Sequence, residues 1–127
     1  MDYRTPLAKA RGLGSAKSGT THWWMQRVTA VALIPLSFWL ILFIQQLFHA
    51  SYDEIKQWLI SPVNFSMLLA WACAGFYHAA LGLQVVIEDY LSPEWLKIVM
   101  IWVVKLTFAG AAIASLVLVI RIAISAG

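Results

Sequence analysis

The segment FSMLLAWACAGFYHAALGLQVVIEDY, residues 65–90, is a long apolar run with an imidazole in its interior and an acid and a phenol at its end. From Phe65 to Ile87 it contains no Asp, Glu, Lys or Arg, and His78 is its only histidine. About 20 apolar residues suffice for an α-helix to cross a hydrocarbon core of about 30 Å. The segment therefore predicts a membrane-spanning helix that holds a histidine near mid-depth.

The spacing within this helix hints at a bound group. Asp89 follows His78 by eleven residues. In an α-helix this spacing returns to nearly the same face, about 16 Å further along. Gly75 and Gly82 lie within about one turn on either side of the histidine. Their missing side chains leave room for something flat beside the imidazole.

The composition excludes a soluble domain. The chain has 127 residues, of which 61% are hydrophobic and 12% charged, with a mean hydropathy of +0.77. This indicates an integral membrane protein of one domain, residues 1–127. A short basic tail beside membrane spans offers no groove for nucleic acid, so we expect no nucleic-acid binding. Cys73 is the only cysteine, which excludes an internal disulfide and a cysteine metal cluster.

Two further apolar runs complete an all-α fold with three transmembrane helices. We expect spans at about 28–48, 65–87 and 96–120, with Lys105 interrupting the third. Residues 1–21 are rich in Gly, Ser, Thr, Lys and Arg and predict an irregular arm. Between the first two spans, Ser51 followed three residues later by Glu54 predicts a short capped surface helix, Tyr52 to Leu59.

Basic residues predict the orientation. The amino-terminal arm and its junction with the first span carry five of them, whereas each loop and the carboxyl tail carry one: Arg4, Lys9, Arg11, Lys17 and Arg27 against Lys56, Lys97 and Arg121. The positive-inside rule then predicts a cytoplasmic amino terminus and a periplasmic carboxyl terminus. We therefore expect His22, Arg27, Asp89 and Tyr90 to meet at the inner membrane surface.

His78 is the best candidate for chemistry, because an ionisable group within a span is costly unless it has a partner. A neutral imidazole can ligate a metal through one nitrogen. The alternative is a hydrogen-bonded packing histidine. A six-coordinate haem needs a second histidine at similar depth, but His22 and His49 lie at span ends, so another protein chain would have to supply it.

Tyr90 and Asp89 are the candidates at the boundary. A phenol and a carboxylate could bind a quinone carbonyl and pass a proton, although tyrosine is also common in interfacial belts. Arg27 suits an anionic lipid headgroup or a haem propionate. Lys105 could snorkel, pair with an acid of another chain, or approach a propionate.

Together these features resemble the cytochrome b membrane anchors of succinate dehydrogenase (complex II), in particular the smaller of the two hydrophobic anchor proteins. The resemblance covers nearly the whole chain. It rests on a basic Gly-Ser arm, His22-Trp-Trp leading to Arg27, three spans, and His78 followed by Asp89 and Tyr90 at the end of the second span. The spacing from His78 to Asp89 and Tyr90 is its specific part.

The resemblance implies a non-catalytic subunit of an enzyme complex that passes electrons from succinate to quinone. It would pair with a second membrane anchor subunit, share one haem b with it, and dock the iron-sulfur subunit and the flavoprotein subunit. His78 would be an axial ligand of the haem iron, and Tyr90 would hydrogen-bond ubiquinone beside Asp89. Arg27 and His22 would lie near the quinone or a propionate.

The same resemblance implies a multi-pass protein of the bacterial inner (cytoplasmic) membrane, or alternatively of the mitochondrial inner membrane. The absence of a transit-like presequence favours the bacterial location. Two other functions remain open from the residues. One is a cofactor-free membrane scaffold or assembly protein; the other is a small transporter that uses His78 and Lys105 as a relay.

Overall fold

The computed structural model describes residues 5–10 and 19–125, except the side chains of residues 8 and 9. Within these ranges the chain is all-helical and has no strand. The helices are α1 (Pro6–Ala10), α2 (Gly19–Leu47), α3 (Tyr52–Ile60), α4 (Pro62–Tyr90) and α5 (Glu94–Ile124). The predicted all-α fold is confirmed.

Three of these helices are long and apolar enough to cross a membrane. α2 and α4 have 29 residues each and α5 has 31, so at about 1.5 Å per residue they are about 44–46 Å long. A hydrocarbon core is about 30 Å thick, which leaves about 7–8 Å of helix beyond it at each end. The predicted spans lie inside these helices to within one residue, and the helices extend beyond them.

The arm is more helical than its composition predicts. Residues 6–10 form α1, and α2 begins at Gly19, ahead of the predicted end of the arm at residue 21. Pro6 suits the first position of a helix because its ring fixes φ near the helical value. At Gly19 an established apolar helix extends backwards, since adding residues to a helix costs far less than starting one. Residues 1–4 and 11–18 of the arm lie outside the described residues.

Serine caps determine where α3 and α4 begin. Ser51 and Glu54 form the predicted capping box, in which the Ser51 backbone N–H and hydroxyl donate to Glu54 Oε2 at 2.7 and 2.8 Å. The same two donors hold the pKa of Glu54 below its ordinary value. Ser61 caps α4, whose first residue is Pro62. The surface helix predicted for residues 52–59 is confirmed with one additional residue.

The three long helices pack as a single layer with α4 in the middle. α4 packs against α2 on one side and α5 on the other, and the short α3 rests on α4 and α5. We call the end of the layer where α2 begins, α4 ends and α5 begins the arm end. α5 contains no buried residue. Most of the exposed surface of the helix layer is apolar, so lipid or another protein chain has to cover it.

The opposite end of the layer is held by stacked aromatic rings. Trp58 of α3 stacks on Trp39 and Phe43 of α2, with ring centroids 5.6 and 5.0 Å away. Asn64 ties the same cluster together: it accepts a hydrogen bond from Trp39 Nε1 at 3.2 Å and donates to the Trp58 carbonyl at 2.9 Å. This core fixes α2, α3 and α4 relative to one another, away from the candidate site.

Candidate functional site

The imidazole of His78 lies between α4 and α2. Its Nδ1 is 2.9 Å from Thr29 Oγ1, and its Nε2 is 3.4 Å from Gln26 Nε2. Thr29 and Gln26 are one turn apart on α2, on the face that packs against α4. Both ring nitrogens therefore face polar side chains of the neighbouring helix.

The Thr29 hydroxyl determines which nitrogen of His78 carries the proton. Its shortest contact is 2.7 Å to the Met25 carbonyl, one turn earlier in α2. A hydroxyl has one proton, and Thr29 donates it to the Met25 carbonyl. The Thr29 oxygen therefore accepts a hydrogen bond from His78 Nδ1. We assign this tautomer from the hydrogen-bond network. It leaves a lone pair on Nε2, as in a neutral histidine that ligates a metal.

The side chain of Gln26 fills the space beside His78 Nε2. Gly82 lies directly beside this amide, since a Cβ at this position would be 3.4 Å from Gln26 Nε2, at the near limit of ordinary contact. Gln26 Oε1 is buried and has no hydrogen-bond partner among the described residues. A buried polar atom without a partner indicates a missing polar group. Because Oε1 is an acceptor, the missing group is a hydrogen-bond donor, and any group that binds His78 Nε2 would have to displace the Gln26 amide.

Gly75 has no such role. A Cβ at this position would meet Trp71 at 3.9 Å and Leu33 at 4.0 Å, which are ordinary contacts. Gly75 thus faces Trp71 and Leu33, whereas Gly82 is the glycine beside the Gln26 amide, and the space for a flat group stays a prediction.

A cavity of about 430 Å³ opens at the arm end between α2 and α4, just beyond Gly82. His22 and Arg27 line it, together with Gln26 and Val85. The Arg27 guanidinium lies 3.9 Å from the centre of the Trp23 ring, a cation–π contact that leaves its N–H groups available to an anion. His22 Nε2 is buried and has no partner among residues 5–10 and 19–125. His22 and Arg27 thus line the same cavity, as expected. Gln26, which contacts His78, also lines it.

Asp89 and Tyr90 form the last turn of α4 and are both exposed. Tyr90 is 81% exposed. In the described part of the chain neither side chain makes a hydrogen bond, and neither lines the cavity of His22 and Arg27. The structure therefore puts them at the same end of the layer as Arg27 without bringing them into contact with it.

Lys105 is separated from this cavity. It lies on α5 and lines two other cavities with Tyr77, Leu81 and Gln84 of α4. His78 instead faces α2, so the structure does not join His78 and Lys105 into a relay. Within residues 5–10 and 19–125 no group of three His, Cys, Asp or Glu side chains could hold a metal ion.

Gln26 and Thr29 are the site residues that the sequence did not reveal. Thr29 is a polar residue in an otherwise apolar run, and Gln26 precedes it by one turn. That pattern was a usable signal, because a polar side chain in a span needs a partner. Its partner could not be identified without knowing which face of α2 contacts α4.

Comparison with known proteins identifies relatives along nearly the whole chain. Residues 1–120 match the family of succinate dehydrogenase/fumarate reductase transmembrane subunits. The chain is 43% identical to the succinate dehydrogenase hydrophobic membrane anchor subunit of Rickettsia bellii over 83% of its length and 84% of that protein. No solved structure matches.

Two further relatives, which are less identical to the chain but align over more of it, are also succinate dehydrogenase hydrophobic membrane anchor subunits. The anchor protein of Rickettsia prowazekii is 38% identical over 94% of both chains. That of Paracoccus denitrificans is 30% identical over 92% of this chain and 89% of its own. The matched region includes the arm-end cavity as well as the three long helices.

The assigned His78 tautomer can be tested on Thr29. Thr29→Val keeps the shape of the side chain but removes the oxygen that accepts from Nδ1, so we expect the proton to redistribute between the two ring nitrogens. The ¹⁵N chemical shifts of the His78 ring, measured by NMR on the labelled chain in lipid, report this directly. Thr29→Ser is the matched control and should retain the wild-type shifts. Identical ring shifts in the valine variant would overturn the assignment.

Proposed function

The chain belongs to the family of succinate dehydrogenase/fumarate reductase transmembrane subunits, and from this premise we propose that it helps to hold a haem b and a ubiquinone in the membrane. Its relatives are membrane anchor subunits of succinate dehydrogenase, and it is itself a multi-pass inner-membrane anchor, a non-catalytic subunit of that complex. Oxidation of succinate takes place on other subunits.

The observation that carries the haem proposal is the pairing of His78 with Thr29. The 2.9 Å contact holds Nδ1 and leaves the Nε2 lone pair for an axial bond to iron. A bound haem b would supply one-electron transfer within the membrane. His22 and Arg27 are the donors available to its propionates, because they line the adjoining cavity. The second axial ligand would come from the other membrane anchor of the complex.

The quinone proposal rests on the residues at the end of α4. Tyr90 is a neutral donor that can hydrogen-bond a quinone carbonyl, and Asp89 is a carboxylate that can relay a proton. Their exposure suits a site completed by another protein, since a phenol in the headgroup region is accessible to a neighbour. We propose that the iron-sulfur subunit covers this end of the layer and that ubiquinone lies between it and Tyr90.

The proposed partners are a second membrane anchor subunit, the iron-sulfur subunit and the flavoprotein subunit. The open surface of the layer supports this, because α5 has no buried residue and α2 has only Trp39 and Phe43. We place the arm end on the cytoplasmic side, so that the carboxyl terminus is periplasmic. The five basic residues of the amino-terminal region support this orientation.

Replacing His78 tests the haem proposal. In His78→Ala the iron loses one axial ligand, so the reduced b-type absorbance of the purified complex should disappear or shift. Visible spectra and subunit composition are measured on the same sample. His49→Ala is the control, because His49 lies in the turn after α2, outside the candidate site. If wild-type complex shows no b-type absorbance, the chain is an anchor or scaffold without haem.

Replacing Tyr90 tests the quinone proposal. Tyr90→Phe removes one hydrogen-bond donor, which typically costs about 0.5–1.5 kcal/mol or roughly a two- to tenfold change in rate or affinity. Quinone reduction should fall by this factor while succinate oxidation with an artificial dye stays unchanged. Tyr52→Phe, on α3 at the other end, is the matched control. Equal loss of both activities would indicate damaged assembly instead.

The proposed orientation can be tested with single cysteines. Cys73 is the only native cysteine, so Ser92→Cys and Asp53→Cys in a Cys73→Ser background each give one reactive thiol outside the spans. A membrane-impermeant maleimide should label position 53 in spheroplasts and position 92 only in inverted vesicles. The reverse pattern would show that the arm end faces the periplasm.

A further inference from the structure

The two faces of the helix layer differ at the arm end. On α2, Trp23 and Arg27 line one cavity, whereas Thr21 and Met25 line another. An offset of two residues turns an α-helix by about 200°, so these pairs point to opposite sides of the layer. The same offset separates Gly82 from Gln84 on α4. We call the side with Thr21, Met25, Gln84 and Lys105 the lysine face.

The lysine face carries a groove with a polar end and an apolar end. A cavity of about 280 Å³ is lined by Thr21, His22 and Lys105, among others. It adjoins a cavity of about 310 Å³ between α4 and α5, and the two share Tyr77, Leu81, Gln84 and Lys105. The second continues away from the arm end along Cys73, Phe108, Ala109 and Ala112. The groove therefore has hydrogen-bond donors at its mouth and only apolar or weakly polar walls beyond.

The ammonium group of Lys105 lacks a counter-ion in the described part of the chain. The nearby acid, Glu88, accepts a hydrogen bond from Gln84 at 2.7 Å, and Glu94 pairs with Lys97 at 3.1 Å. His22 lines both this mouth and the cavity of Arg27, so it does not distinguish the two faces. A cation within a span is costly unless it is paired. Lys105 is thus the one charged side chain among the described residues that line the groove, and it has no ion pair there.

The depth of Lys105 suits a lipid phosphate. Its Cα is about 16 Å from Glu94 along α5, of which about 8 Å lies beyond the hydrocarbon boundary. An extended lysine side chain reaches most of the remaining 8 Å toward the interface. Thr21 lies in the first turn of α2, at headgroup level. The donors therefore span the level of the headgroup and the start of the acyl chains.

The dimensions favour a thin occupant. A helix is about 10–12 Å across with its side chains and can cover this groove but cannot enter it. An acyl chain can enter, but burying its methylenes there gains little, because the surrounding lipid is as apolar as the groove. The tail therefore gives fit rather than affinity, and selectivity comes from the charge at the mouth.

We propose that the lysine face binds one anionic phospholipid, with its phosphate at Lys105 and an acyl chain along Ala109 and Ala112. The choice of lipid over a protein partner rests on the proposed function, because the second membrane anchor is needed on the side of Arg27 and Gly82. The opposite side is then left to the bilayer. Lys105 pairs with the lipid phosphate and Tyr77 donates to it from α4.

The test measures lipid binding to the intact complex by native mass spectrometry. Delipidated complex is titrated with phosphatidylglycerol or phosphatidylcholine of the same chain length. One surface lysine contributes a preference of about fivefold for an anionic lipid. Wild type should therefore bind one phosphatidylglycerol about fivefold more tightly than phosphatidylcholine. Lys105→Met should abolish this preference, while Lys105→Arg should keep it.

Two further variants separate the headgroup from the tail. Lys97→Met removes another lysine of α5, one paired with Glu94, and should leave the preference unchanged. Ala109→Phe fills the groove without altering its charge and should weaken both lipids equally.

Three results would overturn the proposal. They are an unchanged preference in Lys105→Met, loss of the second membrane anchor in that variant with lipid binding intact, or competition by inorganic phosphate as strong as that by the lipid. The b-type absorbance of the same samples reports the haem proposal independently, since Lys105 lies outside the His78 contacts. A complex that loses its haem absorbance but keeps its lipid preference would contradict only the proposed function.

Discussion

The hydrogen bond between His78 and Thr29 is the interaction on which the site depends, because hydrocarbon offers no partner for a polar group. A polar side chain deep in a span therefore needs a partner from the protein unless it can reach the interface. In this chain, the side-chain hydrogen bonds between long helices in the described residues join α2 to α4. Besides the contacts of His78, Trp71 donates to Ser37 at 3.3 Å and Trp39 donates to Asn64 at 3.2 Å. These bonds occur at several levels of the same helix pair.

These hydrogen bonds fix how α2 is aligned against α4 more than they stabilise the pair. Hydrogen bonds between transmembrane helices contribute on average about 0.6 kcal/mol each, so the four between α2 and α4 cannot account for the stability of the pair. A shift of α2 by one residue would break all of them and leave the groups unpaired in hydrocarbon. The contacts between α4 and α5 are different in kind: Phe76 meets Phe108 with ring centroids 6.2 Å apart, and no side-chain hydrogen bond between these helices is present in the described region. The α2–α4 pair therefore orients His78. α5 packs on α4 without such bonds, and at its far end the Ser125 carbonyl accepts a hydrogen bond from Lys56 Nζ of α3 at 2.7 Å.

The sequence predicted what depends on one helix at a time. Apolar length predicted the three spans, the Ser51–Glu54 spacing predicted α3, and burial cost singled out His78. It did not predict contacts that depend on how one helix is rotated against another. Counting residues gave His78 and Lys105 similar depths and suggested a relay, yet His78 points at α2 while Lys105 lies beside Gln84 on another face. Gln26 and Thr29 were missed for the same reason. The helical parts of the arm were missed because composition reports propensity, whereas a neighbouring helix lowers the cost of extension.

The thinness of the layer explains why each site must be shared. A single layer of helices has no interior, and the six apolar residues buried within residues 5–10 and 19–125 are spread over α2, α3 and α4. If His78 ligates a haem as proposed, a second histidine ligand would have to come from a chain on the open side of the layer. The chain's other histidines cannot supply it, since His22 and His49 lie near the ends of α2, and His22 lines the cavity on the near side. The same opening leaves Tyr90 exposed for a partner. Anything that binds only the folded layer stabilises it by mass action. Partner binding and the fold of this chain are therefore coupled, because a partner on the open side would cover apolar residues the chain cannot bury by itself.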